Sequence, residues 1–434
     1  MQDWGGVDDA LRSLVSSHAF PGATAIVADR SGLLHATAVG RHTYGTSAMK
    51  MELSTHFDMA SLTKVLVTTT CAMLLYQWGE LKLDAPVINM FGPKFSAADS
   101  RKGMITPRHL LLHEAGLPPD PTPVSYCAPS FACPEVALLP PRERNLTFSC
   151  RQRAFDHLVK SQTLDRAPGI KFVYSDISMI TMMNVVGHLA KSGGHVHEHD
   201  LLPACVGENA TASDSGGSFI TATAQCYFEA FARTHIFNKF EVGRADTYLG
   251  FRLPKALWPI AAPTWNDTTS GFPGECVRPY RERVLQGEVS DGNAYSLGGV
   301  AGHAGLFASV RHVHLLMHEI LFAPGMGALG ITRDTVDLFT TVHNKTRSTR
   351  ALGWDTDSVL CGNMSARTFT HTGYTGTMIC ADPDARDGGL LTVLLTNRVY
   401  PKADEASEER IHAARVRYNN AVLVALGGGA GGRV

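Results

Sequence analysis

Two serines in this sequence stand three positions before a lysine, a spacing at which the lysine can activate the serine hydroxyl for attack on an acyl carbon. Ser47 and Lys50 form one such pair, and Ser61 and Lys64 form the other. A hydroxyl is a weak nucleophile near neutral pH and needs a base within hydrogen-bonding reach. Residues three apart meet that need when both lie on one face of a helix. The local structure around each serine therefore decides which pair can be catalytic.

The segment after Ser61 is apolar almost all round up to Gly79, which predicts a buried helix that begins near the serine and stops at the glycine. Burial would lower the pKa of Lys64 and favour its neutral form, and the free N–H groups of a helix start favour developing negative charge. Ser47 follows Gly45 and has no helical period after it, so it is predicted to lie in a loop. The alternative for Ser61 is a helix-capping serine followed by a lysine that extends to solvent.

The composition limits the classes of partner. The chain has 434 residues, of which 44% are hydrophobic, so it can bury one large core or two smaller ones. Lysine and arginine total 39 against 40 for aspartate and glutamate, and the net charge of −1 provides no field to attract nucleic acid or an anionic membrane. No apolar run is long enough to cross a membrane. The expected partner is a small molecule or a short peptide, with the oligomeric state left open.

The compartment is predicted to be cytoplasmic, because the first residues lack the basic and apolar regions of a secretory signal. Two features keep a secretory or lysosomal origin open. The 9 cysteines show no Cys-x-x-Cys spacing and leave disulfide pairing undetermined, and the N-glycosylation sequons exceed the number expected from composition. The sequons begin at Asn145, Asn209, Asn266, Asn344 and Asn363.

Strand-like runs occupy both ends of the sequence, whereas the middle is mostly helix and loop. Residues 22–40 read as two strands around a turn, and residues 367–397 contain further strand candidates. We therefore predict an α+β fold in which an antiparallel sheet flanked by helices is formed from residues 1–60 and 300–434. A mostly helical subdomain, residues 61–299, would be inserted, with the site in the cleft between the two parts.

A stretch rich in Gly, Ser, Ala and Thr, residues 192–225, interrupts the helical part and is predicted to be an inserted surface loop. His195, His197 and His199 alternate within it. Alternating histidines in a loop could bind a metal, but they are more often solvated. No metal or other cofactor is therefore predicted.

Two further segments carry residues that can do chemistry. Tyr174-Ser175-Asp176 lies between an apolar lead-in and a helical run, where a tyrosine can point its phenol into a cleft. Residues 368–377 alternate small and polar types on an edge strand, and the glycines there allow another backbone to approach. Taken alone, the first segment is a packing tyrosine beside a helix N-cap, and the second is a glycine-bearing hairpin.

Together, and in this order, Ser61-x-x-Lys64, Tyr174-Ser175-Asp176 and His371-Thr372-Gly373 resemble the three motifs of the serine β-lactamase and penicillin-binding-protein superfamily. The likeness is to its class C-like branch, which includes D-aminopeptidases, D-alanyl-D-alanine carboxypeptidases and esterases. It covers nearly the whole chain apart from residues 192–225 and a cysteine-bearing stretch between residues 121 and 150. Supporting stretches are FDMASLTK, ITPRHLLLHEAGLP, APTWND and GEVSDGNAYSLGGVAGHAGLFA.

The resemblance implies a β-lactamase/transpeptidase-like fold and a serine hydrolase that forms an acyl-enzyme without a metal or cofactor. Ser61 would be the nucleophile, and Lys64 and Tyr174 would share the general-base and general-acid work. The N–H groups of Ser61 and Tyr374 would form the oxyanion hole. His303 is either a residue of the cleft or a packed histidine bonded to the backbone.

Two positions depart from the family pattern and bear on the substrate. His371 stands where relatives often carry lysine, and a histidine is only partly charged near neutral pH, so a substrate carboxylate should be anchored less strongly. Asp176 stands where relatives often carry asparagine, and an ionised carboxylate can only accept hydrogen bonds, which suits a substrate amine. Alternatively, Asp176 stabilises Lys64 as a cation, which leaves Tyr174 as the stronger base candidate. Both interpretations favour an aminopeptidase or esterase over an efficient β-lactamase.

The alternative hypothesis from another class is a non-catalytic protein of this fold that serves as a binding or filament-forming scaffold. Intact Ser61, Lys64 and Tyr174 argue against it, because a scaffold has no need of all three. The two hypotheses differ in whether a chromogenic ester or anilide is hydrolysed.

Overall fold

A computed structural model describes residues 2–121, 148–203, 205, 222–240, 248–268, 281–386, 388–401, 403 and 405–427. Within these residues the strands form one large sheet and two small ones. The strands are β1 Gly22–Asp29, β2 Gly32–Gly40, β3 Phe57–Asp58, β4 Gly250–Phe251, β5 Pro263–Asn266, β6 Val284–Gln286, β7 Leu306–Ala308, β8 Asp355–Thr356, β9 Phe369–Thr372, β10 Met378–Asp382 and β11 Leu390–Thr396.

The large sheet contains six strands in the order β2-β1-β11-β10-β9-β8, and its pairings are antiparallel. Strands from the two ends of the sequence meet at its centre, where Ile26 of β1 lies opposite Val393 of β11. All residues of β1, β10 and β11 are buried, as expected for a sheet with packed layers on both faces. The predicted strands at the two ends and the predicted α+β fold are confirmed.

Helices and helical turns account for about half of the remaining described residues. The α-helices are α1 Gly5–Ser16, α2 Thr70–Gln77, α3 Ile88–Phe91, α4 Pro107–Leu111, α5 Phe148–Phe155, α6 Asp176–Ser192, α7 Ala222–Ala232, α8 Asn238–Phe240, α9 Gly292–Ser296, α10 Val310–Leu321, α11 Arg333–Thr340 and α12 Glu405–Ala425. The π-helical turns are Lys64–Thr69, Asp156–Lys160 and Arg233–Phe237. The 3-10 turns are Pro93–Ser96, Ser100–Met104, Glu198–Asp200, Lys255–Ile260 and Val359–Cys361.

Two hydrophobic cores lie on opposite faces of the large sheet. Ala25 and Val27 of β1 belong to the core that the sheet shares with α1 and α12. Ile26 and Ala28 belong to the larger core, which continues through α10 into the helical middle of the chain. This alternation follows from the two-residue period of a strand, which sends successive side chains to opposite faces.

The helix predicted after Ser61 is present, and all residues from Leu62 to Leu75 are buried. Its first turns are π-helical over Lys64–Thr69 before α2 continues. Gly79 has a φ of 79°, a left-handed conformation that favours glycine and commonly follows the end of a helix. The prediction of a buried helix bounded by Ser61 and this glycine is confirmed.

The inserted loop is predicted from the sequence to extend to residue 225. In the structure, residues 222–225 already belong to the buried helix α7. Gln225 is buried and its amide donates to the carbonyl oxygens of Leu297 and Val300, both at 2.6 Å. A Cβ on Gly187 of α6 would lie 1.9 Å from the Ala224 carbonyl oxygen. The small residues that suggested a loop therefore allow two helices to pack closely, and this end of the prediction is wrong.

The three alternating histidines do not share one environment. The His195 ring packs against Trp78 at a centroid distance of 4.8 Å, and its Nε2 lies 3.5 Å from a Glu80 carboxylate oxygen. His197 and His199 are exposed and stack on each other, with ring centroids 5.4 Å apart. Residues 204 and 206–221 of the predicted insertion lie outside the described residues.

The described cysteines include two disulfide-bonded pairs and one free thiol. Cys205 is bonded to Cys226, and Cys361 is bonded to Cys380. Cys71 is a free, buried thiol. In the part of the chain that the structure describes, no helix has both the length and the apolar composition to cross a membrane.

Candidate active site

Ser61 and Lys64 are in direct contact, as their spacing predicts. The Lys64 ammonium donates to Ser61 Oγ at 2.7 Å and to the His303 carbonyl oxygen at 3.2 Å. Lys64 is 0% exposed. Ser47 and Lys50, by contrast, are both exposed in a turn region. The structure therefore brings together the second serine–lysine pair and leaves the first as surface residues.

The turn before Ser61 is fixed by a buried carboxylate. Asp58 accepts hydrogen bonds from the Ala60 N–H at 2.9 Å and from the Ser290 N–H and hydroxyl at 2.7 and 2.8 Å. Burial raises the pKa of Asp58 despite these bonds. Ala60 has a φ of 46°, and this left-handed conformation costs roughly 1–2 kcal/mol for a residue with a Cβ. The tethered turn holds Ser61 at the start of its helix.

Lys64 keeps its proton, contrary to the expectation from burial alone. Burial lowers its pKa, but Asp176, with Tyr174, outweighs burial and raises it. The Asp176 carboxylate oxygen lies 2.7 Å from the ammonium. Of the two interpretations of Asp176, the structure favours the one in which the aspartate stabilises Lys64 as a cation.

Tyr174 lies on the other side of the Lys64 ammonium. The Lys64 Nζ is 4.9 Å from the centroid of its ring, and Tyr174 helps to raise the pKa of the lysine. The Arg350 guanidinium is 5.5 Å from the same centroid, and the His113 ring packs at 4.7 Å. His113 also accepts the Ser175 N–H at 3.1 Å through Nδ1. The phenol is thus held by packing in a place where it faces two cations.

The third motif is tied to the turn that carries Ser61. Thr375 and Thr377 donate through their hydroxyls to the carbonyl oxygens of Asp58 and Met59, at 2.8 and 3.1 Å. A Cβ on Gly373 would lie 2.6 Å from the Met59 oxygen, so this position requires glycine. The backbone around Tyr374 is therefore held beside the turn that precedes Ser61 and its helix.

His371 is 4% exposed, and its environment changes the expected role. Burial, Arg350 and Lys64 lower its pKa well below the usual value, so the ring is neutral near neutral pH and not partly charged as the sequence suggested. Nδ1 donates to the Thr372 carbonyl oxygen at 2.9 Å. Cations at this side of the cleft come from Arg350, Arg398 and Arg415 instead.

These arginines could not be identified from the motifs, because they come from other segments of the chain. Arg415 of α12 is buried and donates to the carbonyl oxygens of Gly373 and Thr377, at 3.0 and 3.1 Å. Burial lowers its pKa to about 9. Arg398 donates to the Tyr374 carbonyl oxygen at 2.8 Å. Both side chains hold the turn that follows β9 in place.

His303 is a packed histidine and does not line the cleft. It is 1% exposed, and its Nε2 lies 2.8 Å from an Asp291 carboxylate oxygen. Burial alone would lower the pKa of His303, but Asp291 raises it. Asp176, Asp291 and His303 bring possible metal ligands within 4.8 Å of one another. Because Lys64 and His303 already supply the positive partners of these carboxylates, the donor set fits an ion-pair network better than a metal centre.

These residues surround one cavity of about 550 Å³. The predicted residues that line it are Ser61, Tyr174, Asp176, His371, Thr372, Gly373 and Tyr374. Lys64 lies buried behind them. Sequence reasoning missed Asp120, Asp291 and the three arginines among the lining residues.

A family model described as Beta-lactamase matches residues 7–196 and 217–416. The unmatched residues 197–216 fall within the predicted insertion. An Escherichia coli (strain K12) protein named as a D-alanyl-D-alanine carboxypeptidase is 28% identical over 82% of this chain and 72% of its own length. An N-acetylmuramyl-L-alanine amidase from Bacillus subtilis (strain 168) is 28% identical over 90% of this chain and 80% of its own.

Solved structures show the same fold at low sequence identity. Unliganded simvastatin synthase from Aspergillus terreus superimposes with a TM-score of 0.62 and 17% identity, covering 98% of each chain. EstCE1, a hydrolase with promiscuous acyltransferase activity, gives a TM-score of 0.60 and 17% identity over 95% of this chain and 98% of its own. At this identity the two structures establish the fold alone.

Proposed function

This chain belongs to the Beta-lactamase family and is a serine hydrolase, and we propose that it cleaves small amides, D-amino acyl peptides or esters through an acyl-enzyme on Ser61. The observation that carries the assignment of Ser61 is its 2.7 Å contact with the buried Lys64 ammonium, whose Nζ lies 4.9 Å from the centroid of the Tyr174 ring. No cofactor is needed for this chemistry, because the nucleophile, base and charge-stabilising groups are all side chains or backbone N–H groups.

The proposed proton acceptor is Tyr174 in its phenolate form, whose charge the Lys64 ammonium offsets. The Ser61 proton passes to the phenolate oxygen as Oγ bonds to the acyl carbon. The N–H groups of Ser61 and Tyr374 then stabilise the oxyanion. Tyr174 returns the proton to the leaving nitrogen or oxygen as its bond to carbon breaks. Water attacks the acyl-enzyme by the same route, with its proton taken by Tyr174 and given back to Ser61.

The cleft supports aminopeptidase or esterase activity over efficient β-lactam hydrolysis. His371 is neutral, so a substrate carboxylate would have to be bound by Arg350, Arg398 or Arg415, which line the same cavity, and not by the side chain that replaces the usual lysine of the third motif. Asp176 is engaged with Lys64 and cannot donate a hydrogen bond to a substrate carbonyl oxygen when ionised. The relatives named as a D-alanyl-D-alanine carboxypeptidase and an N-acetylmuramyl-L-alanine amidase point to amide bonds in small peptides as a starting set of substrates.

Covalent labelling tests the nucleophile directly. A fluorophosphonate probe should attach to Ser61, because of the two serines with the Ser-x-x-Lys spacing this is the one that contacts its lysine, at 2.7 Å, and precedes a helix. Mass spectrometry of the labelled peptides locates the adduct. Ser61→Ala should abolish labelling, whereas Ser47→Ala, which removes the other serine of the same spacing, should leave it intact. Labelling that persists in Ser61→Ala and disappears in Ser47→Ala would contradict the assignment.

For the compartment, we infer an oxidising environment, the secretory or lysosomal alternative, in preference to the cytoplasm. Disulfides such as Cys205–Cys226 and Cys361–Cys380 persist mainly in oxidising compartments. Sequons at exposed or half-exposed Asn266, Asn344 and Asn363 agree with this inference.

Alkylation of denatured protein from its native host, before and after reduction, measures the state of these cysteines. Peptides with Cys205, Cys226, Cys361 and Cys380 should react only after reduction. Cys71, a free thiol in the same chain, should react without it and serves as the control. Equal alkylation of all five cysteines before reduction would favour the cytoplasm.

A further inference from the structure

Three carboxylates lie on one wall of the active-site cavity, and two of them already have cationic partners. Asp176 pairs with Lys64 at 2.7 Å, and Asp291 pairs with His303 at 2.8 Å. Asp120 lines the same cavity. Among the described residues, no lysine, arginine or histidine nitrogen lies within ion-pair distance of its carboxylate. Asp120 is therefore the carboxylate on this wall that remains available to a ligand.

The segment that carries Asp120 is fastened to the second motif. The Asp176 N–H donates to the Pro119 carbonyl oxygen at 2.9 Å, and the Ser175 hydroxyl donates to the Pro118 carbonyl oxygen at 2.6 Å. The backbone directly before Asp120 thus has a fixed place relative to Tyr174. Such fixed placement lets a charged side chain select a substrate with little loss of entropy on binding.

The other wall of the cavity is lined by Arg350, Arg398 and Arg415 and also by Asp355 and Glu408, with Arg350 paired to Asp355 at 3.6 Å. Arg415 is 3% exposed, and its Nε has no hydrogen-bond partner within the described ranges. Its other bonds go to backbone carbonyl oxygens, and no described carboxylate lies within ion-pair distance of it. Arg350 lines the same side and also has a buried Nη1 without a partner among the described residues. Buried Arg415 would repel a cationic group on a substrate, whereas Asp120 would attract it.

We propose that Asp120 binds a free amine on the acyl portion of the substrate, so that Ser61 acts preferentially on esters and amides of amino acids with an unblocked amino group. This inference rests on the proposed function of Ser61 and names the substrate class of the same site. It also reassigns the amine-binding role that the sequence suggested for Asp176, since that carboxylate is occupied by Lys64.

The charges around Asp120 favour the binding of a cationic group beside its carboxylate. Burial, followed by the negative charges of Asp176 and Asp291, raises its pKa to about 6, while His303 and Lys64 act in the opposite sense. A bound ammonium would favour the ionised form and offset the repulsion from the other two carboxylates.

A matched pair of anilides tests the inference. The first substrate is alanine p-nitroanilide, used in the D or L form, whichever is cleaved faster. The second is propionyl p-nitroanilide, which differs from the first only in that it lacks the amine. Wild type should prefer the alanyl substrate in kcat/KM. Asp120→Asn should lower kcat/KM for the alanyl substrate by about 10- to 100-fold, the range for loss of a charged hydrogen bond, and leave the propionyl substrate unchanged.

Asp165→Asn is the matched control, because it removes one negative charge from an exposed position outside the cavity and should alter neither substrate. If Asp120→Asn lowered kcat/KM equally for both substrates, or did not lower it for the alanyl substrate, the assignment of Asp120 would be wrong. The proposed function would remain intact. If wild type hydrolysed neither anilide and no p-nitrophenyl ester, both the assignment of Asp120 and the proposed function would be wrong.

A second measurement needs no variant. The ratio of kcat/KM for the alanyl and propionyl substrates should fall in wild type as pH drops through about 6, because Asp120 takes up a proton and loses its charge. It should also fall above the pKa of the substrate amine, about 8. Titration of Asp176, Asp291, His303 or Lys64 affects both substrates and largely cancels in the ratio. A ratio that stays constant from pH 5 to pH 7 would contradict the role of Asp120.

Discussion

Tyr174→Phe should lower kcat by about 10² to 10⁴ for any substrate that the wild-type protein hydrolyses, the usual range for loss of a general acid–base group. The change removes the phenol oxygen, which helps to raise the pKa of Lys64, and keeps the ring that packs against His113. The thermal midpoint should therefore remain close to that of wild type. Steady-state kinetics and a melting curve on the same preparation provide the two measurements.

Tyr76→Phe is the control for removal of a tyrosine hydroxyl. Tyr76 lies in α2, with its ring edge-on to Phe339 at a centroid distance of 5.8 Å and away from the cavity. Its variant should retain wild-type kcat. If Tyr174→Phe also retained wild-type kcat, the proton from Ser61 would have to pass to another group, and Lys64 would return as the candidate base.

The parts of the site that could be predicted from sequence are those whose geometry is local. Ser61 and Lys64 are one helical turn apart, so their contact follows from the helix alone. Tyr174 stands directly before α6, where the chain turns into a buried helix. The glycine of the third motif follows from the need for close backbone approach, which the structure shows at Met59.

The residues that the sequence could not supply are those placed by the tertiary structure. Asp120, Arg350 and Arg415 belong to three separate segments, and only the packing of α12 and of the 117–121 segment against the motifs brings them to one cavity. No spacing rule connects residues so far apart in the chain.

The charge state of Lys64 stayed open between a neutral lysine and a cation stabilised by Asp176, for a different reason. Burial and ion pairing act on the pKa of an ammonium in opposite directions, and the sequence revealed the burial but not the distance to Asp176. At 2.7 Å the effect of the carboxylate exceeds that of burial, and the pKa of Lys64 is raised.

The prediction that the loop extends to residue 225 is wrong because small residues suit both flexible loops and closely packed helices. Ala224 packs against Gly187 in such a helix pair.

Lys64→Met should also lower kcat by about 10² to 10⁴, although by the present assignment the lysine is not the base. Methionine keeps an unbranched, apolar chain in the buried site but removes the ammonium that contacts Ser61, Asp176 and Tyr174. Without that charge, a phenolate on Tyr174 would face the Asp176 carboxylate with no cation between them. Lys50→Met removes the exposed lysine of the other Ser-x-x-Lys pair and should leave kcat unchanged.

The double variant Lys64→Met/Tyr174→Phe decides whether the two side chains act as one unit. If Lys64 works by stabilising the charge on Tyr174, the lysine has nothing left to stabilise once the hydroxyl is gone, and the double variant should be no slower than the slower single variant. Groups that act together in a catalytic step show this strong non-additivity. If the two losses multiplied instead, Lys64 would contribute to catalysis independently of Tyr174, and its contact with Ser61 Oγ would be the interaction to examine, because proton transfer from the serine could then proceed through the lysine itself.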